Sequence, residues 1–302
     1  MYININIYVI YYLILINFNT NIKTKNCKHS FFYFIHSFSK SDDKILNNET
    51  LIISMTSYPP RIKFVKISFG SIIKQKIDPT LYHCVLVLSI VEFVNKELDL
   101  PKDLLNLVYS EGIEIIWYNK NIKSHKKIIP TLKKYPNNPI LIVDDDTLRN
   151  EGFIRTFLDD HKKFPNDIIF GYTDVIFTKD YKFVNKKKFK KNEYILARPA
   201  NGLGGTLYPP HTFNDKRFFN EEIFMKLTPN SDESWQWCFL IMENKSFRKL
   251  SKNFAIKTIR NSQKISLYKE NKNKYNIIIK KLYDYFPEFK KQLDIRIKKC
   301  YN

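Results

Sequence analysis

Residues 140–146 read Ile-Leu-Ile-Val-Asp-Asp-Asp, so that a short run of branched apolar side chains leads directly into three aspartates. Such a run predicts a strand that is buried on both faces. Three adjacent carboxylates repel one another unless a cation compensates them, and their hard oxygens suit Mg²⁺ or Mn²⁺. If the chain stays extended, Asp144 and Asp146 point to the same side. The pattern therefore predicts that both bind one metal ion.

The aspartates also have a structural interpretation, as the cap of the helix that follows them. Apolar side chains recur at helical spacing between Phe153 and Phe164, which predicts a helix there. A carboxylate just before a helix accepts hydrogen bonds from its free N–H groups. One residue is enough for a cap, so three in a row favour a site for a metal ion and a phosphate.

The sequence on both sides of this strand alternates between short apolar runs and segments with helical spacing. Further strands are predicted at 51–55, 84–88 and 113–118, with helices between them. This alternation indicates an α/β fold with a mostly parallel sheet covered by helices. Ligands of such sheets bind at the carboxyl ends of the strands, near the point where the strand order reverses. Ser57, Tyr58 and Arg61 follow the first strand and are expected at that edge.

Four motifs in a fixed order carry a resemblance to a known family. Residues 54–62 and the aspartate segment 143–146 are followed by a glycine-rich segment, 202–210, and an acidic one, 230–237. Over about residues 51–250 the chain resembles bacterial sugar transferases of the family-2-like type. The resemblance implies a GT-A fold, in which a Rossmann-like nucleotide-binding half is joined to an acceptor-binding half.

The same resemblance implies a nucleotide-diphosphate-sugar donor and a metal ion that bridges its diphosphate. Asp146 is then the direct metal ligand, Asp144 a second contact to the metal or the ribose, and Asp145 a donor-side residue. The metal would act as a Lewis acid toward the leaving diphosphate.

The remaining donor contacts have structural alternatives. Ser57, Tyr58 and Arg61 would line the pocket of the base and ribose, although Tyr58 is equally suited to packing in a turn. Lys126 and Lys127 would reach the nucleotide, or else lie on a solvated face.

The glycine-rich segment predicts a close approach of backbone to ligand. Gly202, Gly204 and Gly205 have no side-chain bulk, so their N–H groups are able to contact a sugar or a phosphate. The alternative is a plain turn before the strand predicted at 206–208.

Asp232 and Glu233 precede a strongly apolar helix and have two interpretations. Acidic residues at a helix start stabilise its dipole and cap its first turn. In the catalytic interpretation one carboxylate is the general base that deprotonates the acceptor hydroxyl. The resembling proteins usually carry two aspartates at this point, whereas this chain has Asp232 followed by Glu233. Asp232 is the preferred base and Glu233 the second choice.

Composition excludes several other classes of protein. The 302 residues carry a net charge of +20, but only eight of the 50 basic residues are arginine and the charge is spread along the chain. This distribution argues against a nucleic-acid partner and favours anionic small molecules or acidic membranes. The four cysteines stand singly, without zinc or redox spacing, which indicates a reducing compartment.

Three segments are expected along the chain. Residues 1–48 form a leader whose apolar run, 7–16, is short for a membrane span and lacks the flanks of a secretory signal. It is expected either to anchor the chain or to be a peripheral extension, and the lysines after it favour the cytoplasmic side. Residues 49–260 form the GT-A domain, and 261–302 form a basic, partly helical tail that is suited to acidic lipid.

The leading hypothesis is a metal-dependent, inverting glycosyltransferase with a nucleotide-diphosphate-sugar donor and a glycan or glycolipid acceptor. It would work in the cytoplasm or at the cytoplasmic face of a membrane. One alternative uses the same metal site to hydrolyse a phosphoester or diphosphate. The other is a basic membrane- or nucleic-acid-binding protein without catalytic activity.

Overall fold

The fold is built around a seven-stranded sheet. The computed structural model describes residues 46–173, 175–185, 190–199, 202–265 and 274–301. The predicted membrane-anchoring run at 7–16 lies outside the described residues. In chain order the strands are β1 (Leu51–Thr56), β2 (Tyr82–Ser89), β3 (Glu114–Tyr118), β4 (Ile140–Ile142), β5 (Thr147–Leu148), β6 (Ile168–Phe170), β7 (Val175–Phe177), β8 (Phe183–Asn185), β9 (Thr206–Tyr208), β10 (Phe247–Lys249) and β11 (Lys257–Thr258).

Helices pack against the sheet, and the last three of them also pack against one another. Short 3₁₀ turns connect several of the elements, among them Lys123–Lys127 and Ser262–Ile265. The α-helices are α1 (Ile62–Ile73), α2 (Lys102–Glu111), α3 (Ile129–Lys134), α4 (Phe153–Lys163), α5 (Glu221–Leu227), α6 (Asp232–Met242), α7 (Tyr275–Tyr285) and α8 (Pro287–Tyr301).

The strand order of the central sheet is β10-β6-β9-β4-β1-β2-β3. β1 pairs in parallel with both β2 and β4, while β9 runs antiparallel between β4 and β6. The predicted mostly parallel α/β sheet is confirmed. Because the chain continues from β1 to β2 on one side and returns to β4 on the other, the strand order reverses between β1 and β4. This is the edge at which ligands of such sheets bind.

Continuous apolar runs produce the central strands, since these strands are covered on both faces. Every residue of β4 is buried, and Val65 and Phe69 of α1 pack into the same core. Complete burial of a side chain such as Phe69 contributes about 1.5–3 kcal/mol. α2 ends at Gly112 in the left-handed region, with φ 64°, as its position after the apolar pattern predicts.

α6 is buried along almost its whole length and joins the sheet to the C-terminal helices. Trp235 and Trp237 are fully buried in it, and their indole N–H groups donate to the carbonyls of Phe218 and Ala197. Phe286 lies just before α8 and Phe289 lies in its first turn, and both pack against these indoles. The two C-terminal helices are therefore part of one compact unit, Asn47–Asn302. No helix in the described ranges has the length and apolar character of a membrane span.

Candidate active site

The aspartate segment turns away from the sheet as soon as β4 ends. Asp145 and Asp146 form a turn, and β5 starts directly after them. The expectation of an extended chain through Asp144 and Asp146 is wrong, because the backbone bends between the two. The N-cap of α4 is Gly152, so the aspartates do not cap that helix either.

Arg61 compensates two of the three aspartates at once. Its guanidinium forms ion pairs with Asp145 and, at 2.8 Å, with Asp146. The Ser57 hydroxyl donates a hydrogen bond of 2.6 Å to the other oxygen of Asp145. Residues that follow β1 and β4 thus meet at the switch point of the sheet, as the sequence indicates. Tyr58 contributes its carbonyl there, which accepts the N–H groups of Arg61 and Ile62 at the start of α1.

The carboxylates of this turn hold their protons more tightly than ordinary aspartates. Burial raises the pKa of Asp145 to about 6, although Arg61 and Ser57 act in the opposite direction. Burial also raises the pKa of Asp146, and the neighbouring Asp144 carboxylate adds to the shift. Both shifts come first from burial, and repulsion among the three carboxylates adds to them.

The two adjacent lysines before α3 point to different partners. The Lys127 ammonium, which is buried, forms an ion pair with Asp144. Burial alone would lower the pKa of Lys127, but the carboxylates of Asp144 and Asp232 raise it. The Lys126 ammonium is paired instead with Glu92, in the segment after β2. Lys127 rather than Lys126 therefore reaches the aspartate cluster.

The donor set of the turn fits a metal ion that receives part of its coordination from a ligand. Among the described residues no group of three or more His, Cys, Asp or Glu side chains is arranged to hold a metal. Mg²⁺ often takes only one or two carboxylates and completes its shell with phosphate oxygens and water. Asp144 and Asp146 would supply two such carboxylates.

The glycine loop packs directly on the aspartate turn. The N–H of Asp144 donates to the carbonyl of Gly202 at 3.1 Å, and a Cβ added at Gly202 would overlap the Asp144 carboxylate. A Cβ at Gly204 would overlap the backbone and Cβ of Tyr172. At Gly205, with φ 78°, it would lie 2.8 Å from Phe153. The structure thus explains each glycine by close packing, and direct ligand contacts at Gly204 and Gly205 stay a prediction.

Arg149 holds this loop in place through hydrogen bonds to its backbone. Its guanidinium donates to the carbonyls of Gly202 and Leu203, both at 2.6 Å, and lies over the ring of Phe153. Burial lowers the pKa of Arg149 to about 10, which is still far above neutral pH. A buried cation thus lies under the loop that contacts Asp144.

Asp232 is a buried carboxylate at the first position of α6. Its Oδ2 accepts a hydrogen bond of 3.0 Å from Gln236, whose carbonyl oxygen accepts the Tyr208 hydroxyl. Burial alone would raise the pKa of Asp232, but the Lys127 ammonium acts in the opposite direction and the pKa lies below its ordinary value. Asp232 is therefore ionised at neutral pH.

Glu233, the next residue, has a different set of partners. Arg198 lies 3.1 Å from its Oε1, and the Tyr275 hydroxyl donates to the same oxygen at 3.1 Å. Burial raises the pKa of Glu233, the Arg198 cation lowers it, and the nearby Asp232 carboxylate raises it again, so that the net direction is upward. The two adjacent carboxylates therefore differ in proton affinity.

Several residues of the site carry no sequence signal that identifies them. Lys127 stands beside Lys126 in a run of polar residues, and only the structure distinguishes the two. Gln263 donates to Asp146 at 2.7 Å across a separation of 117 residues, which no local pattern predicts. The same holds for the remaining contacts described above, which are made by Arg149, Arg198 and Tyr275.

Comparison with solved structures places this geometry in a known fold. Residues 1–349 of TarS from S. aureus, in complex with UDP, match with a TM-score of 0.51 and 16% identity over 76% of this chain. The chain has a GT-A fold. It covers 64% of that TarS chain, which is less than two thirds of its length. The sequence matches no family model and no curated protein.

Two further solved structures match with lower scores. The same part of TarS with UDP-GlcNAc gives a TM-score of 0.47 at 12% identity, over 70% of this chain and 59% of that one. GalNAc-T7 with UDP, GalNAc and Mn²⁺ gives 0.43 at 11% identity, over 67% and 41%. At these identities the likeness concerns the fold alone. Within the GT-A fold of this chain, the aspartate turn lies at the end of β4 and the Asp232–Glu233 pair at the start of α6.

Proposed function

We propose that the chain is a glycosyltransferase that moves a sugar from a nucleotide-diphosphate-sugar donor to a hydroxyl of a glycan or glycolipid. The observation that carries this proposal is that the GT-A fold holds two clusters of carboxylates, Asp144–Asp146 and Asp232–Glu233. Lys127 interacts with both clusters. Its ammonium is paired with Asp144, and its charge also acts on Asp232. A donor-side cluster and a candidate base thus share one cation.

On the donor side, the residues after β1 and β4 bind the nucleotide diphosphate. Ser57, Tyr58 and Arg61 lie beside the aspartate turn and are proposed to line the pocket of the base and ribose. Asp144 and Asp146 would hold Mg²⁺ or Mn²⁺. When bound, such an ion supplies Lewis-acid stabilisation to the diphosphate.

On the acceptor side, Asp232 is the proposed general base. It is ionised at neutral pH, so it is able to accept the proton of the acceptor hydroxyl while the new bond forms. The acceptor oxygen bonds to the anomeric carbon, the bond from that carbon to the diphosphate oxygen breaks, and the nucleoside diphosphate leaves. A single displacement of this kind inverts the anomeric configuration.

The place of the reaction follows from the same proposal. A donor of this kind is a cytoplasmic metabolite, and the acceptor would be a cell-surface glycan or its precursor. We therefore expect the chain to work in the cytoplasm or at the cytoplasmic face of a membrane.

Release of the nucleoside diphosphate tests the function without knowledge of the acceptor. The full chain is incubated with UDP-GlcNAc, UDP-glucose, UDP-galactose and the corresponding GDP- and dTDP-sugars, with Mn²⁺, Mg²⁺ or EDTA. Slow turnover with water as acceptor is expected for at least one donor, together with a rise in melting temperature by its nucleoside diphosphate. Neither turnover nor stabilisation with any donor would contradict the proposal.

A further inference from the structure

The chain that follows the last strand of the sheet returns to the aspartate turn. β11 pairs antiparallel with β5, with Thr258 opposite Thr147. The N–H of Ile259 donates to the carbonyl of Asp146 at 2.7 Å, and the Gln263 amide donates to the carboxylate of the same residue. This segment lies outside the seven-stranded sheet and nevertheless contacts a proposed metal ligand.

The same C-terminal part of the chain reaches the acceptor side at a second place. Tyr275, the first residue of α7, donates its hydroxyl to Glu233. The Arg198 guanidinium lies 4.1 Å from the centre of the Tyr275 ring and pairs with Glu233 at 3.1 Å. Tyr275 and Arg198 thus contact each other and the same carboxylate. We refer to the two residues as the Glu233 clamp.

The clamp fixes the position of Glu233 strongly. Arg198 and Glu233 are only 5% and 7% exposed, so water has little access to either side chain. A buried charge costs several kcal/mol unless a partner compensates it, which ties the two groups together. The tyrosine adds a hydrogen bond to the carboxylate and a flat ring under the guanidinium, and both contacts restrict rotation.

We propose that Tyr275 and Arg198 are positioning residues for the transfer reaction, holding Glu233 in place so that Asp232 presents its carboxylate to the acceptor. This inference rests on the proposed function. Asp232 and Glu233 are adjacent in the first turn of α6, and two unpaired carboxylates there would repel each other and compete for the same proton. Arg198 offsets part of the Glu233 charge and so reduces that competition. A small displacement of a reacting group is enough to cost catalysis about 10²-fold.

The test compares two hydroxyl deletions on the same helix. Tyr275→Phe removes the hydrogen bond to Glu233 but keeps the ring under Arg198. Tyr283→Phe is the matched control, since its hydroxyl is buried without a hydrogen-bond partner among the described residues. Arg198→Lys is the second variant of the clamp, because it keeps the charge and removes the planar contact with Tyr275.

Turnover of UDP-GlcNAc, UDP-glucose and UDP-galactose is measured with water as acceptor, together with the Kd for UDP by calorimetry. For Tyr275→Phe we expect kcat to fall by about 10-fold, while KM for the donor and Kd for UDP change by less than about 2-fold. Tyr283→Phe should match the wild type in all three quantities. Arg198→Lys should lower kcat at least as much as Tyr275→Phe.

The outcomes separate this inference from the proposed function. If the wild type turns over a donor and Tyr275→Phe matches Tyr283→Phe in kcat, the clamp has no positioning role. An equal loss of kcat and of UDP affinity in Tyr275→Phe would indicate general damage to the site and would also overturn the inference. Failure of the wild type to turn over any donor would contradict the proposed function itself.

Discussion

The donor side and the acceptor side of the site balance their charges in different ways. On the donor side, the described residues that form ion pairs with Asp144, Asp145 and Asp146 are two cations, Arg61 and Lys127. Burial and mutual repulsion raise the pKa of Asp145 and Asp146 as a result. Three carboxylates lie close together in this region, which suits the proposed binding of a further cation.

On the acceptor side, Glu233 has a cation of its own, whereas Asp232 shares Lys127 with Asp144. Glu233 is paired with Arg198, and Asp232 lies within the field of Lys127, which keeps its pKa below the ordinary value. An ionised carboxylate without an excess of charge around it suits the uptake of a single proton. This difference supports the proposal that one group of acids binds a metal ion and the other takes up the proton.

Removal of the proposed base should give the largest effect. Asp232→Asn keeps the size of the side chain but removes the oxygen that accepts the proton. Donor turnover should fall by about 10²–10⁴-fold, with the Kd for UDP near that of the wild type. Glu222→Gln, an exposed acid in the first turn of α5, is the control. Full turnover by Asp232→Asn would remove the distinction between the two regions.

Removal of a proposed metal ligand should change binding rather than proton transfer. Asp146→Ala should weaken the metal-dependent binding of UDP by about 10–100-fold, after which EDTA has no further effect. Calorimetry of UDP with Mn²⁺ and with EDTA measures this. Asp99→Ala is the control, because that carboxylate only accepts from Asn95 in an exposed turn. UDP affinity that is equal with Mn²⁺ and EDTA in the wild type would contradict a metal site here.

Replacement of the shared cation should affect both regions moderately. Lys127→Met removes the charge that lowers the pKa of Asp232, so the acidic limb of the pH–kcat profile should move upward by about one pH unit. Turnover at neutral pH should fall by about 10-fold or less.

Lys126→Met is the matched control for that change. It also breaks a buried ion pair, with Glu92, and both variants should lose about 3–5 kcal/mol of stability. Its pH profile should be that of the wild type, however. Identical profiles for the two lysine variants would show that Lys127 does not act on the base.

The smallest effect on turnover is expected outside both regions. Burial alone would raise the pKa of Glu114 on β3, but hydrogen bonds from His83, Lys134 and Tyr135 lower it to about 2. Its contribution to stability is therefore fully present above the ordinary value near 4.5 and is lost as the pH falls toward 2.

Glu114→Gln tests this separation of stability from catalysis. At pH 7 the variant should be less stable than the wild type by about 1–3 kcal/mol, and near pH 2 the difference should disappear. Denaturant unfolding at several pH values measures it. Donor turnover at neutral pH should be unchanged, so a large loss of turnover would mean that stability and function are not separable in this chain.

The sheet and the donor side could be predicted from the sequence because their sequence patterns are local. Short apolar runs alternating with helical spacing predict the strands and helices, and polar residues that end adjacent parallel strands must meet at one edge. Arg61 and Asp145 illustrate this, since each lies within a few residues of the end of its strand. The bend after Asp144 could not be predicted from the sequence, because nothing in three identical residues indicates where the backbone turns.

The acceptor side could be predicted from the sequence only in part. Asp232 and Glu233 stand out as acids before an apolar helix, but their different partners do not. Tyr275 and Arg198 are 42 and 35 residues away from Glu233 in the sequence, and the packing of α7 brings them together. Contacts of this kind depend on tertiary structure, and a single sequence contains no periodicity that encodes them.

The order in which the site is assembled along the chain has a consequence for synthesis. The last strand of the sheet ends at Lys249, so the ribosome has delivered every strand of that sheet before Gln263 and Tyr275 emerge. Domains fold from the N-terminal end at synthesis rates of about 5–20 residues per second. Newly made chains should therefore pass through a stage with a closed sheet and an incomplete site. During that stage the strands of the sheet would be present, while Asp146 and Glu233 would still lack their contacts with Gln263 and Tyr275.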